Sequence, residues 1–165
     1  GFVLEVLIPK FLEWMLVITQ LLLSFAIVAT VLFRYILHLD LYGIEEFILI
    51  FAFWLYLMGA AYGSYEDSHI QADIVKEYVK NPRLKFWIRF LVVSISTVSC
   101  LAINYWAFNY FIWGIVKDAR SIAWKIPMVI PQSAILIGFS IMSLYLVLDL
   151  VRLIGRIRRG EITID

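Results

Sequence analysis

The chain has 165 residues, a net charge of +1 and a composition that is 63% hydrophobic, with a mean hydropathy of +0.90. A soluble domain of this size is about half apolar, so this composition excludes most soluble enzyme classes and predicts a multi-span membrane protein. The single cysteine, Cys100, excludes an internal disulfide and a Cys-x-x-Cys redox site. The sequence contains no catalytic motif, metal-ligand pattern or cofactor signature, so we predict no enzyme activity, no cofactor and no nucleic-acid partner.

Four uncharged stretches are long enough to cross a bilayer, and in chain order they cover residues 14–33, 47–65, 90–116 and 126–148. A helix rises about 1.5 Å per residue and needs about 20 apolar residues to cross a hydrocarbon layer about 30 Å thick. Backbone polar groups in lipid must bond within their own segment, so each stretch is predicted to be helical. The predicted fold is all-α, a single four-helix transmembrane domain over 1–165, with spans at about 12–36, 46–65, 86–116 and 126–151.

The distribution of basic residues predicts the orientation of the spans. With four spans, the N-terminal segment, the 66–89 loop and the C-terminal segment share one side of the membrane. That side holds ten of the 14 basic residues. The positive-inside rule therefore predicts that both termini are cytoplasmic.

The segment 69–80, between the second and third spans, has the pattern of a short amphipathic helix. Ser68 and Gln71 have the spacing of a capping box, and the apolar residues that follow recur at helical intervals. Asn81 and Pro82 are expected to end this helix and to begin the next one. Such a helix would lie flat among the lipid headgroups, and the alternative is an ordinary loop.

Charged residues beside the first outer loop are the first candidate functional residues. Arg34 ends the first span, and Glu45 and Glu46 precede the second. Because the two spans form an antiparallel hairpin, these three side chains lie at the same membrane depth. A cation and a carboxylate at one depth favour an ion pair that stabilises the outer end of the hairpin. The alternative is that these residues meet a partner outside the membrane.

Small and polar residues within the spans indicate where helices pack. Gly59 and Gly63 have the small-xxx-small spacing that is typical of close helix packing, either within the chain or against another subunit. In the third span, Ser96, Cys100 and Asn104 recur every four residues and share one face. This face predicts hydrogen bonds to a neighbouring helix, with a pore lining as the alternative.

The positions of charged residues and histidines limit the possible functions. No Asp, Glu, Lys or Arg falls in the centre of a span, which argues against an ion-coupled carrier that acts alone. His38 and His69 lie at or beyond span ends, which argues against a haem-bearing anchor of a redox complex. A small homo-oligomeric carrier or channel and a redox anchor are therefore the alternative functions. His69 and Asp73 are predicted to fix the turn after the second span, unless His69 binds a partner or a lipid headgroup.

Several segments of the chain together form a pattern that is found in one family. They are Arg34-Tyr35, Glu45-Glu46, Trp54, Gly59-Ala60-Ala61, His69-Ile70, Asp73 and the segment 126–142. In these segments the chain resembles the four-span, Q-type small membrane subunit of tripartite ATP-independent periplasmic (TRAP) transporters. The resemblance covers nearly the whole chain, and its most specific block lies at 51–73. One departure from the family pattern is the acidic Glu66-Asp67 pair, where a basic residue is often found.

This resemblance implies partners and a role that the residues alone do not define. It implies a large multi-span membrane subunit that moves the solute, a soluble periplasmic substrate-binding protein that captures it, and contact with membrane lipids. It implies sodium-driven uptake of organic acids across a bacterial inner membrane, with the substrate and sodium sites in the large subunit. The chain itself would be a scaffold that extends the static part of that subunit. Arg34, Glu45 and Glu46 would then be candidates for docking the binding protein.

Overall fold

The four predicted spans are four long α-helices in the structure, a computed structural model that describes residues 6–38, 42–78 and 81–159, with the backbone alone over 67–78. In chain order they are α1 (Ile8–Tyr35), α2 (Ile44–Tyr78), α3 (Pro82–Val116) and α4 (Val129–Arg158). All four contain a segment long and apolar enough to cross a membrane. The prediction of an all-α, four-span protein is therefore confirmed.

The start of α3 is fixed by the two residues that the sequence assigned to it. The side-chain oxygen of Asn81 accepts a hydrogen bond from the backbone N–H of Arg83 at 3.2 Å. Pro82 occupies the first helical position, where its missing N–H leaves no bond unmade. The predicted cap at Asn81-Pro82 is confirmed.

The predicted interfacial helix over 69–80 is not a separate element. The backbone of α2 continues as one helix from Ile44 to Tyr78, without a new start at Ser68. The physical reason is that no glycine or proline lies between Gly63 and Asn81, so nothing in the sequence breaks the helix. The side chains of 67–78 and the whole of residues 79–80 lie outside the described part of the chain, so the amphipathic face stays a prediction.

The helices form a row rather than a closed bundle. The extensive helix–helix contacts are those of α1 with α2, α2 with α4, and α4 with α3. Side by side in the plane of the membrane, the order of the helices is therefore α1, α2, α4, α3. The helices α1 and α3 each have a neighbour on one side only. A row gives each helix fewer neighbours than a bundle does, so much of its apolar surface faces outward.

The core of the row is small and runs through the middle of all four helices. Its buried cluster takes Leu12 from α1, Met58 and Ala61 from α2, Cys100 from α3 and Met142 from α4. A second cluster joins α3 and α4 alone; it consists of Phe86, Val93 and Leu153. Only 6% of the membrane segment of α1 is buried, against 22% for α3 and for α4, so α1 is the most peripheral helix.

Candidate functional site at the outer end

The α1–α2 and α3–α4 loops lie at the same end of the helices, which we call the outer end because it is predicted to face outward. Glu46 holds this end together. This residue lies in the first turn of α2. Its carboxylate accepts hydrogen bonds from the hydroxyl of Ser121 at 2.6 Å and from the backbone N–H groups of Ala123 at 2.7 Å and Trp124 at 3.0 Å. Hydrogen bonds to a carboxylate are stronger than neutral ones, so one side chain attaches the α3–α4 loop to α2.

The α3–α4 loop has its own hydrogen-bonded structure. The N–H of Ser121 donates to the carbonyl of Ile126 at 2.9 Å, and the N–H of Ile126 donates to the hydroxyl of Ser121 at 2.9 Å. The N–H of Met128 donates to the carbonyl of Ala119 at 2.8 Å. These bonds pair the two halves of the loop, so its apex at residues 122–124 is presented to Glu46 in one conformation.

Trp124 attaches the same loop to the residues that precede α2. Its indole N–H donates to the carbonyl of Tyr42 at 3.1 Å, and its ring meets the ring of Phe47 edge-on, with centroids 5.9 Å apart. Gly43 lies beneath it with a φ of +82°. A Cβ at this position would overlap the indole and lie 2.7 Å from the Cβ of Ala123, so a glycine is required here.

A cavity of about 340 Å³ opens beside this loop and brings the predicted outer residues together. Arg34, Glu45 and Glu46 all line it, together with Thr30 and residues 42–44 and 122–123. Their common location agrees with the predicted common depth. The sequence predicted that Glu46 stabilises the α1–α2 hairpin. Its hydrogen bonds instead join α2 to the α3–α4 loop. Pairing of Arg34 with Glu45 stays a prediction.

Ile122 lies at the rim of the cavity and is 92% exposed. Here the neighbours Ser121 and Ala123 bond to Glu46 and hold the apex in place. The outer end therefore combines a cavity lined with charged residues and one exposed apolar side chain.

Of the remaining predicted residues, the two glycines of α2 lie away from the closest helix contacts. A Cβ on Gly59 would make an ordinary contact of 3.6 Å with Leu16 of α1, and a Cβ on Gly63 would have nothing within 4 Å. A tighter contact with α2 lies at Gly138 of α4, where a Cβ would be 3.0 Å from that of Leu57. His69 and Asp73 lie on the continuous backbone of α2, and their side chains fall outside the described residues.

The polar face predicted on α3 does form hydrogen bonds to α4. The hydroxyl of Ser143 donates to the sulfur of Cys100 at 3.3 Å, and the hydroxyl of Ser140 donates to the Oδ1 of Asn104 at 3.3 Å. The prediction of interhelical hydrogen bonds is confirmed for these two residues. Their location between two packed helices is not that of a pore lining.

An ion pair at the opposite end of the helices, away from the α1–α2 and α3–α4 loops, was not predicted from the sequence. Arg89 of α3 bonds to both carboxylate oxygens of Asp149 of α4, at 3.1 and 3.2 Å, and the two side chains are only 15% and 16% exposed. A signal existed, since Arg89 and Asp149 each border an uncharged run, and antiparallel helices bring those ends to one depth.

The fold defines the class of this protein: a multi-pass membrane protein whose polar contacts join helices. Among the described residues, no group of three His, Cys, Asp or Glu side chains could hold a metal ion. The model of one family, described as tripartite ATP-independent periplasmic transporters, DctQ component, matches residues 23–156. The chain therefore belongs to this family and is one component of a tripartite transporter. No curated protein sequence matches the chain.

Proposed function

We propose that the chain is a non-catalytic scaffold subunit of a sodium-driven importer, and that it extends the static part of the large transport subunit. The row of helices is the observation that carries this proposal. A carrier that acts alone must enclose its solute, whereas this row has two broad apolar faces and a core made of tightly packed side chains. The uncharged centres of all four spans support the same role, because coupling ions are usually bound by charged or carbonyl groups at that depth.

Reconstitution tests the proposal. Liposomes would carry this chain alone, the large membrane subunit alone, or both, each with the soluble binding protein outside and an inward sodium gradient. The probe is a radiolabelled organic acid that stabilises the binding protein in a thermal-shift assay. We expect uptake only with all three components and only with the sodium gradient. Uptake by this chain alone, or equal uptake when it is omitted, would contradict the proposal.

The outer end is also proposed to contribute to docking of the soluble binding protein. The exposed Ile122 and the cavity lined by Arg34 and Glu45 support this role, since an apolar anchor beside charged groups is typical of protein interfaces. Replacing Glu45 and Glu46 together by Ala is expected to lower uptake and binding-protein affinity while the sodium dependence is unchanged. An altered sodium dependence would place these residues in the transport step instead.

Both termini are proposed to be cytoplasmic, as the basic residues predict. In a Cys100→Ser background, a cysteine at Ile122 should react with a membrane-impermeant maleimide added to intact cells. A cysteine at Arg158, at the other end of α4, should react only after the cells are broken. The opposite labelling pattern would reverse the orientation and remove the outer cavity from contact with a periplasmic partner.

A further inference from the structure

We infer that one face of the α1–α2 hairpin, made by Gln20, Ser24, Tyr56, Ala60 and Gly63, packs against a transmembrane helix of the large membrane subunit. We name this surface the hairpin face. The inference rests on the proposed function, because it assumes that such a subunit exists, and it adds the location of the interface.

The polar residues of the hairpin face lie within the depth of the hydrocarbon layer. Ser24 is in the middle of the uncharged run 14–33, Gln20 lies about two helical turns from the start of that run, and Tyr56 is in the middle of the run 47–65. At about 1.5 Å per residue, Tyr56 is about 14 Å from either end of its run. A side chain at this depth meets hydrocarbon unless protein covers it.

The two helices present these residues on the same side of the hairpin. Gln20 precedes Arg34 by about four helical turns, and Tyr56 follows Glu45 by about three, so each pair shares one helix face. Arg34 and Glu45 line the same cavity at the outer end. The faces that contain Gln20 and Tyr56 therefore open in one direction.

Most of this surface is not covered by the chain itself. Tyr56 is 72% exposed, and Gln20, Ser24 and Ala60 are exposed as well. The amide of Gln20 donates to the hydroxyl of Ser24 at 3.3 Å, while the hydroxyl of Tyr56 has no hydrogen bond within the described part of the chain. A Cβ on Gly63 would have nothing within 4 Å.

Lipid is a poor occupant for such a surface, and a protein helix is a good one. Acyl chains offer no partner for the Tyr56 hydroxyl or the Gln20 carbonyl oxygen, and a polar group left unpaired in hydrocarbon costs several kcal/mol. A neighbouring helix can supply those partners. The small residues Ala60 and Gly63 let its backbone approach closely, as is usual where membrane helices associate.

The outward face of α3 is the competing surface, because Tyr105 and Trp106 are also exposed near the centre of a span. The amide of Asn109 on that face donates to the backbone carbonyl of Tyr105 at 3.0 Å, a bond within α3 itself. The membrane segments of α1 and α2 are 6% and 11% buried, against 22% for α3 and for α4, so the hairpin leaves more of its surface to a partner. This difference favours the hairpin face.

Photo-crosslinking of the assembled complex tests the inference. A benzophenone amino acid would be placed at position 56 or, as the matched control, at position 106, in the full chain co-expressed with the large membrane subunit. We expect illumination to join the large subunit to position 56 and not to position 106. A crosslink from position 106 alone, or from position 56 only to a second copy of this chain, would overturn the inference.

A matched pair of substitutions gives an independent readout. Ala60→Leu fills the hairpin face, and Ala102→Leu makes the same change at an exposed position near the middle of α3. We expect Ala60→Leu to reduce co-purification of the large subunit by about threefold to tenfold, and Ala102→Leu to leave it unchanged. Tyr56→Phe removes only a hydroxyl and should reduce co-purification by about threefold.

The controls separate this inference from the proposed function. If the unmodified chain does not co-purify with the large subunit, the proposed function fails. If it does co-purify while Ala60→Leu and Tyr56→Phe have no effect and position 56 gives no crosslink, the proposed function stands and the hairpin face is wrong. The yield of each variant expressed alone shows whether it folds, and all three substitutions are at exposed positions.

Discussion

The α3–α4 pair and the α1–α2 hairpin are held together by different chemistry. Along α3 and α4, polar side chains bond across the interface at three levels: Arg89 with Asp149, Cys100 with Ser143, and Asn104 with Ser140. In hydrocarbon, such contacts specify which helices associate and in what register, because water does not compete for them.

In the α1–α2 hairpin, by contrast, the hydroxyls of α1 bond within their own helix. Thr19 donates to the carbonyl of Met15 at 2.6 Å, and Thr30 donates to that of Ala26 at 2.7 Å. What joins α1 to α2 in the core is apolar packing around Leu12. The difference indicates that α3 and α4 are paired by specific polar contacts, whereas the hairpin depends on apolar packing and on the contact of α2 with α4.

The largest expected effect comes from breaking the Arg89–Asp149 pair. Arg89→Leu leaves the carboxylate of Asp149 half-surrounded by apolar groups without its partner, and we expect it to lower the free energy of unfolding by about 3 kcal/mol. The melting temperature of the detergent-solubilised chain measures this loss. Arg89→Leu combined with Asp149→Leu should be closer to the unmodified chain than either single variant.

Arg152→Leu is the control for that experiment, since it removes an exposed arginine one helical turn from Asp149. It should change the free energy of unfolding by less than about 0.5 kcal/mol. If it were as damaging as Arg89→Leu, Arg152 rather than Arg89 would be the effective partner of Asp149.

The link between the two helix pairs at the outer end is Glu46, and Glu46→Gln should break it. A neutral amide makes weaker hydrogen bonds than a carboxylate, and only one of the two oxygens remains as an acceptor. The N–H₂ group would therefore face the N–H of either Ala123 or Trp124, and that hydrogen bond would be lost. We expect amide hydrogen exchange at residues 121–124 to accelerate by about tenfold. Glu45→Gln is the matched control, since this neighbour is exposed. Equal exchange in both variants would show that the loop holds its conformation without Glu46.

The central contact between the pairs, α2 against α4, is tested at Gly138. A Cβ there would lie 3.0 Å from the Cβ of Leu57 and 3.2 Å from its carbonyl oxygen, so α2 and α4 would have to separate. We expect Gly138→Ala to lower the free energy of unfolding by about 1 kcal/mol, since the steric cost exceeds the gain in helix propensity. Gly155→Ala on the same helix has open space and should raise it. A higher melting temperature for Gly138→Ala would contradict this packing.

The sequence predicted the spans and the start of α3, because length, charge and capping chemistry decide those features locally. It could not predict the order of the row. Leu12 is fully buried and Trp14 is 68% exposed, yet both are apolar residues in one helix. In lipid, hydrophobicity does not distinguish the side of a helix that faces protein from the side that faces acyl chains.

The location of the outer site was predictable from the sequence, but its hydrogen bonds were not. Charge and hairpin geometry brought Arg34, Glu45 and Glu46 to one location. Which of the two glutamates is bonded depends on the turn at residues 119–128, a contact more than 70 residues away in the chain. No local pattern encodes such a contact. The helix 69–80 was misjudged because a plausible capping box does not start a new helix where the preceding one has no reason to end.

The smallest effect is expected at Gly63. If the hairpin face packs against the large subunit, Gly63→Ala should have opposite effects on the isolated chain and on the complex. Alanine is favoured over glycine in a helix by about 1 kcal/mol, and the added methyl group meets nothing in the chain itself. The melting temperature of the isolated Gly63→Ala variant should therefore rise slightly. In the assembled complex the same methyl group would enter a close helix contact, so co-purification of the large subunit should fall slightly rather than rise. A gain in both measurements would mean that lipid, not protein, covers this part of the hairpin.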